Sequence, residues 1–154
     1  LATYLAEKVW GPAGMEQQAT WLLSKTGKEI GGCCVQASPR DYARLGVFIL
    51  NGAQANGQSI VPEGWWAEAT TKRADIGRPG RGYGYQWWTY DDGSYAARGI
   101  FGQGIFIDPQ RKLVIVSNAN WAHGARDPQA TEARENFYRE VQQVIDEEAR
   151  APRP

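Results

Sequence analysis

The chain has 154 residues, with 17 Lys plus Arg set against 17 Asp plus Glu and one histidine. That balance leaves no basic footprint for nucleic acid, and no apolar run reaches the ~18 residues that a bilayer crossing needs, so neither a nucleic-acid partner nor a membrane span is expected. The length suits about one domain, large enough to bury roughly 68–70% of its unfolded surface.

Residues 1–10, "LATYLAEKVW", set Leu1, Leu5 and Val9 at helical spacing with Trp10 beside them, and "GPAG" stops the helix. "SKTGKE" (24–29) lies between apolar "ATWLL" and "IGGCCV", the pattern of a small hairpin. Cys33 and Cys34 are adjacent; neighbouring cysteines seldom bridge, and two are too few for a disulfide scaffold. With no Cys-x-x-Cys and His123 as the only histidine, neither a zinc site nor any other cofactor is expected. "SPRDYARLGVFILNG" (38–52) is the strongest helix signal. Ser38 is a natural N-cap, Pro39 suits the first position, Asp41 completes the capping pattern, and Tyr42, Leu45, Phe48 and Ile49 form the apolar stripe. "VPEGWWAEATTK" (61–72) reads as a second short helix, and "RADIGRPGRG" (73–82) as an irregular basic loop.

From residue 83 the apolar period changes to two. "YGYQWWTY" (83–90), "SYAARGIFGQGIFID" (94–108) and "KLVIVSNANW" (112–121) read as three strands joined by turns, so they should pair antiparallel. Residues 127–150 read as a long helix that starts at Asp127 and Pro128. Its stripe would be Ala130, Ala133, Phe137, Val141, Val144 and Ile145. These elements predict an α+β architecture: a three-stranded antiparallel sheet packed against a long C-terminal helix, with an N-terminal helical and loop-rich region. The expected division is 1–82 and 83–150 within one domain, with 151–154 as a tail. At least one sheet edge has no visible partner. The chain opens at Leu1 inside a helical pattern, with no initiator methionine or leader, as the C-terminal part of something longer would. Localisation stays open.

Three glycines, Gly99, Gly102 and Gly104, fall inside the second expected strand. Glycine weakens a strand, so it marks either a bend or a place where something approaches the backbone closely. The nucleotide-binding glycine order is absent, as is the Gly-x-Ser-x-Gly elbow of α/β-hydrolases. The loop 72–81 carries Lys72, Arg73, Arg78 and Arg81, which suit a solvated loop or the acidic end of a substrate. Lys25-Thr26-Gly27 is a literal match to a signature of serine β-lactamases and penicillin-binding proteins, but it sits in a polar turn ahead of two helices. The surroundings that this signature needs occur instead at "ARGI" (97–100), where a hairpin and a closing helix follow.

On "GGCCVQASPRDYARLGVFILNG" (31–52), "GYGYQWW" (82–88), "RGIFGQGIFIDPQRKLVIVSNANW" (98–121) and the closing helix, the chain resembles the serine β-lactamase-like superfamily. More narrowly it resembles 6-aminohexanoate-dimer hydrolases, family VIII-type carboxylesterases and class C-like enzymes. The resemblance implies part of a β-lactamase-like (transpeptidase) fold. It gives Gly99 and Ile100 a catalytic role, with the N–H of Ile100 as one half of an oxyanion hole. It sets Tyr85, Trp87, Trp88, Arg98 and Gly102 at the substrate pocket, with the loop 121–127 near its mouth. Trp87 and Trp88 would point to opposite faces of one strand, so one of them should wall the pocket and the other fill the core.

The family's nucleophile stands in Ser-x-x-Lys, where the lysine, one helical turn on, can take the serine's proton. None of Ser24, Ser38, Ser59, Ser94 and Ser117 has lysine three positions later, and no tyrosine has asparagine two positions on. The expectation is therefore part of a serine hydrolase of small-molecule amides or esters that works through an acyl-enzyme, with this polypeptide inactive alone. Its partner would be the missing N-terminal portion or another copy of itself. A non-catalytic binding or assembly module of the same fold is the alternative.

Overall fold

In a computed structural model of the protein, residues 1–55 and 57–151 are described, apart from the side chain of Arg126. The expected tail lies, beyond Ala151, outside the described residues. The chain forms two compact units, Leu1–Ala67 and Glu68–Pro154.

In the first unit, α1 (Ala2–Leu5) runs on into a wide π turn over Ala6–Trp10. The expected hairpin forms: β1 (Thr20–Trp21) pairs antiparallel with β2 (Val35–Gln36), and Leu23 bridges to Glu29. Lys25-Thr26-Gly27 is its polar turn, closed by Gly27 N–H on Ser24 C=O. The reading of the cysteines is corrected, because Cys33 and Cys34 are bonded to each other. A turn at 31–33 and a left-handed φ of 79° at Cys34 bring successive Cβ atoms to one side. Helix α2 (Pro39–Leu50) is capped as its sequence predicts, with Ser38 Oγ accepting from Asp41 N–H at 3.1 Å. Phe48 and Ile49 are buried, and Tyr42 and Leu45 are half-buried. Asp41 is buried beside them and accepts from the N–H groups of Glu16 and Gln17 and from the Ser38 hydroxyl. The Glu16 amide leads the causes that hold its pKa below the usual carboxylate range. A two-residue hairpin follows, β3 (Gln54–Ala55) with β4 (Gln58–Ser59). Helix α3 (Trp65–Ala69) is shorter than 61–72, because Pro62 and Gly64, at φ 77°, belong to the turn ahead of it.

The second unit holds a sheet of six strands, not three, in the order β10-β9-β8-β7-β6-β5, every neighbour antiparallel. The strands are β5 (Ala74–Asp75), β6 (Arg81–Tyr83), β7 (Trp88–Tyr90), β8 (Tyr95–Arg98), β9 (Gln103–Asp108) and β10 (Leu113–Asn118). Part of the sheet therefore arises inside the stretch 73–82 that reads as loop. Two expected strands are each broken by a turn. Within 83–90, Gly84 N–H bonds to Trp87 C=O and Gln86 takes φ 64°. Within 94–108 the chain reverses at 99–102. Alternating apolar residues persist through both turns, so period alone does not reveal them.

Helix α4 (Pro128–Arg150) starts where expected, with Asp127 accepting from Ala130 N–H at 3.0 Å. It packs on the sheet through Tyr138, whose ring stacks on Phe106 with centroids 4.4 Å apart. Ala96 completes this core, and Tyr90, Leu113 and Ile115 pack around it. Part of the stripe expected on α4 is turned away: Ala133 is exposed and Phe137 and Val144 are each 52% exposed, whereas Ala130, Val141 and Ile145 are half-buried and Glu135 and Gln142 are buried. Polar bonds explain the rotation. Gln142 Nε2 donates to Asp92 and Asp108, and Arg111 joins Asp108 to Asp146. Glu135 receives Arg81 and Arg98, with the Tyr90 hydroxyl beside them. A buried carboxylate is costly unless paired, and here the pairs fix which side of the helix goes inward.

Candidate functional site at the β8–β9 turn

The stretch "RGIFGQG" (98–104) is a hairpin tip. Arg98 pairs with Gly104, Gly99 N–H bonds to Gln103 C=O at 2.9 Å, and Gly102 N–H reaches Gly99 C=O at 3.4 Å. A four-residue turn followed by a residue at positive φ is a common three-residue hairpin loop, and Gly102 supplies that residue at φ 89°.

Nearly every polar group of the tip is tied down. Phe101 N–H donates to Gln103 Oε1 at 3.1 Å, Phe101 C=O accepts from Trp121 N–H at 2.9 Å, and Gly102 C=O accepts from Ser117 Oγ at 2.8 Å. The indole of Trp121 lies flat on Gly102, where a Cβ would come within 2.4 Å of the ring. The Arg134 guanidinium covers the indole, 4.6 Å from its centre. Among the described residues, Ile100 N–H has no hydrogen-bond partner, and Ile100 is 65% exposed. The tip thus presents one backbone donor from a rigid loop.

Gly99 makes room for its own hairpin, since a Cβ there would stand 2.4 Å from Gln103 Oε1. Trp88 lies opposite Ala96 on the sheet face that α4 covers, and the Arg98 guanidinium stands 5.5 Å from its ring. The charge of Arg98 is already engaged by Glu135 and the Tyr90 hydroxyl. Trp87 precedes β7 and packs edge-on against Tyr95, with centroids 5.2 Å apart. Tyr95 pairs with Ile107, on the face away from α4. The pair of tryptophans is therefore divided between the two sides, though by a bend rather than by one straight strand. Tyr85 is 40% exposed beneath the Arg73 guanidinium. Arg78 and Arg81 line an open depression of about 570 Å³ beside Thr131, Glu132 and Glu135. His123 is an exposed turn residue. Gln103, Ser117 and Trp121 escaped the sequence reading. The signal for Gln103 was the Gly-x-Gly around it, whereas Trp121 and Ser117 meet the tip only through tertiary contact.

Burial pushes the Tyr95 phenol up to about 12. Tyr90 also rises to about 12, through burial first, with Glu135 adding to it and Arg98 opposing. All five serine hydroxyls are hydrogen-bonded, four of them locally, Ser24 to Thr26, Ser38 to Asp41, Ser59 to Val61 and Ser94 to Asp92, and Ser117 across the hairpin to Gly102. Among the described residues, no group of three or more His, Cys, Asp or Glu is placed to hold a metal ion, and no helix is long and apolar enough to cross a membrane.

Comparison with known proteins gives three findings. The family model described as Beta-lactamase matches residues 1–138. A 6-aminohexanoate-dimer hydrolase from Paenarthrobacter ureafaciens is 31% identical over 132 residues, which is 79% of this chain and 33% of that protein. A solved structure assigned as a 6-aminohexanoate-dimer hydrolase from Bacillus anthracis superposes with a TM-score of 0.76 at 28% identity, covering 93% of this chain and 38% of that one. The chain thus spans about a third of the length of these relatives.

Proposed function

The chain belongs to the beta-lactamase family, and from that premise we propose that it supplies one oxyanion-stabilising amide, Ile100 N–H, and part of the pocket wall to a serine hydrolase of amides or esters. The observation that carries this reading is the unengaged Ile100 N–H on an otherwise bonded tip. A donor already held in place loses little to reorganisation when charge develops on a substrate oxygen.

A serine from outside residues 1–154 attacks the substrate carbonyl as its proton passes to a neighbouring base. The carbonyl oxygen becomes an oxyanion facing Ile100 N–H. Collapse expels the amine or alcohol, which takes up the proton, and leaves an acyl-enzyme that water then hydrolyses. Trp87 and Tyr85 wall the pocket. Arg98 and Trp88 brace β8 from the helix side, and Gly99 and Gly102 shape the tip. The names of both relatives favour a linear amide, that of a 6-aminohexanoate dimer, as the substrate class.

Ile100→Pro tests the reading. Ile100 is the second residue of the turn, a position that accepts proline, so the substitution removes the N–H and little else. In the protein that carries this chain, kcat should fall about 10²–10³-fold with stability nearly unchanged; undiminished turnover refutes the role. The 154-residue chain alone should take no label from a fluorophosphonate. The structural bonds of all five serines also suit the second reading, a non-catalytic binding or assembly module. Absence of acylation in the protein that carries this chain would favour it.

A further inference from the structure

Cys33 and Cys34 are joined to each other in the loop that leads into β2. A disulfide stabilises chiefly by closing a long loop of the unfolded chain. A bond between neighbours closes no such loop, so it adds little as a staple, and its use must lie elsewhere. Access points the same way. Gly31, Gly32 and Cys33 are exposed and Cys34 is half-buried, so a thiol from solvent can reach the pair.

The bond also holds a backbone conformation. Cys34 takes φ 79°, in a region that L-residues disfavour. Three donors depend on this short stretch. Leu22 N–H donates to Cys34 C=O at 3.1 Å, and Cys33 N–H donates to Ile30 C=O at 3.3 Å. The Trp21 indole N–H is shared between Ile30 C=O at 3.0 Å and Cys33 C=O at 3.1 Å. One residue on, Val35 C=O accepts from the Tyr42 hydroxyl of α2 at 2.6 Å. The pair therefore stands where the β1–β2 hairpin is closed and tied to the helix that follows.

We propose that Cys33–Cys34 is a site of reversible thiol–disulfide exchange with a dithiol, and that its redox state sets the closure of the β1–β2 hairpin. One thiolate of the dithiol attacks the Cys33 sulfur and forms a mixed disulfide. The Cys33–Cys34 bond breaks, and its electron pair leaves on Cys34, which takes up a proton. The dithiol's second sulfur, as a thiolate, then attacks its first. The dithiol departs as an internal disulfide, and Cys33 is released and protonated. Two electrons and two protons thus pass to the protein, and a small disulfide reverses the steps. Freed of its neighbour, Cys34 relaxes to negative φ, its carbonyl swings away from Leu22 N–H, and the hairpin opens from that end. None of this depends on the hydrolase reading.

The test treats the protein that carries this chain with dithiothreitol. Mass spectrometry of the peptide that holds both cysteines should count two N-ethylmaleimide labels after treatment and none before, and oxidised glutathione should restore the disulfide. Hydrogen exchange at Leu22 should quicken about tenfold on reduction, the factor that release of one left-handed residue gives, while Ile105 to Ile107 in β9 hold their rate. Cys33→Ser with Cys34→Ser should exchange fast in either condition. Cys33→Ser with Cys34→Gly should stay protected in both, because glycine takes positive φ without a bond to hold it. Far-ultraviolet circular dichroism checks that each variant keeps its helices. A pair that dithiothreitol leaves unlabelled, labelling that oxidised glutathione does not reverse, a reduced pair with unchanged exchange at Leu22, or a double-serine variant as slow as the oxidised parent would each overturn the proposal.

Discussion

Replacing Gly102 with alanine probes how the hairpin tip is held. The position takes φ 89°, which costs an L-residue about 1–2 kcal/mol. The new methyl would also meet three atoms of the Trp121 indole at 2.4, 2.5 and 2.7 Å. The indole lies under the Arg134 guanidinium, and the Trp121 backbone N–H is tied to Phe101 C=O, so the ring yields only by giving up a contact. Overpacking of this kind costs about 1–3 kcal/mol. The sum, about 2–5 kcal/mol, is a large part of the total stability of an ordinary domain. Urea unfolding followed by tryptophan fluorescence measures it, and a cycle with Trp121→Ala divides it. The clash should vanish in the double variant and the backbone strain should remain, leaving a coupling of about 1–3 kcal/mol. A Gly102→Ala protein within about 0.5 kcal/mol of the parent, or a coupling near zero, would refute the contact.

Ser38→Ala and Asp127→Ala each remove a helix cap seen in the structure and should each cost about 1 kcal/mol in denaturant titration. The Tyr95 phenol, raised to about 12, favours the folded chain fully below its ordinary pKa of about 10 and loses that contribution as pH climbs toward 12. Tyr95→Phe should accordingly lose less stability than the parent over that range, by on the order of 2 kcal/mol. Asp146 is held low chiefly by its bond to Arg111, and Asp92 by Ser94, Gln142 and Arg111 against the opposing effect of burial. Their stabilisation is present above the ordinary carboxylate pKa of about 4 and disappears as pH falls through the lower folded values. Arg111→Ala should therefore move the acid unfolding midpoint upward, as read by circular dichroism.

The helices that the sequence announced most clearly were those with local punctuation. Ser38-Pro39 and Asp127-Pro128 state their caps within four residues, and both appear where expected. The β1–β2 hairpin and the turns that join β7 to β8 and β9 to β10 were legible for the same reason. Left-handed turns were not. Gln86 and the 99–102 reversal interrupt runs that look continuous, so the end of β6 with β7 reads as one strand and β8 with β9 as another. β5, Ala-Asp, and β6, Arg-Gly-Tyr, were hidden because such short polar runs acquire strand character only by pairing, β5 with β6 and β6 with β7. The inward face of α4 was misjudged because burial usually follows apolarity, whereas Glu135 and Gln142 go inward to meet fixed partners. At the tip, the three glycines stand out in the sequence and Ile100 is singled out only through the family resemblance, whereas Trp121, which lies on the tip from 19 positions beyond Gly102, leaves no local trace.

The charged seam under α4 has a consequence for the far end of the sheet. Apolar side chains slide over one another at small cost, but the bonds of Gln142 and Arg111 to Asp92, Asp108 and Asp146 break if the helix advances by even one residue. Asp108 closes β9 at one end and Gly104, beneath the Tyr138 hydroxyl, stands near the other. The helix thus works as a gauge laid along β9, indexed at the β9–β10 turn and read out at the opposite end. The bonds of Gln142 and Arg111 thereby fix which residues of α4 lie over β9 and keep the Tyr138 hydroxyl over Gly104.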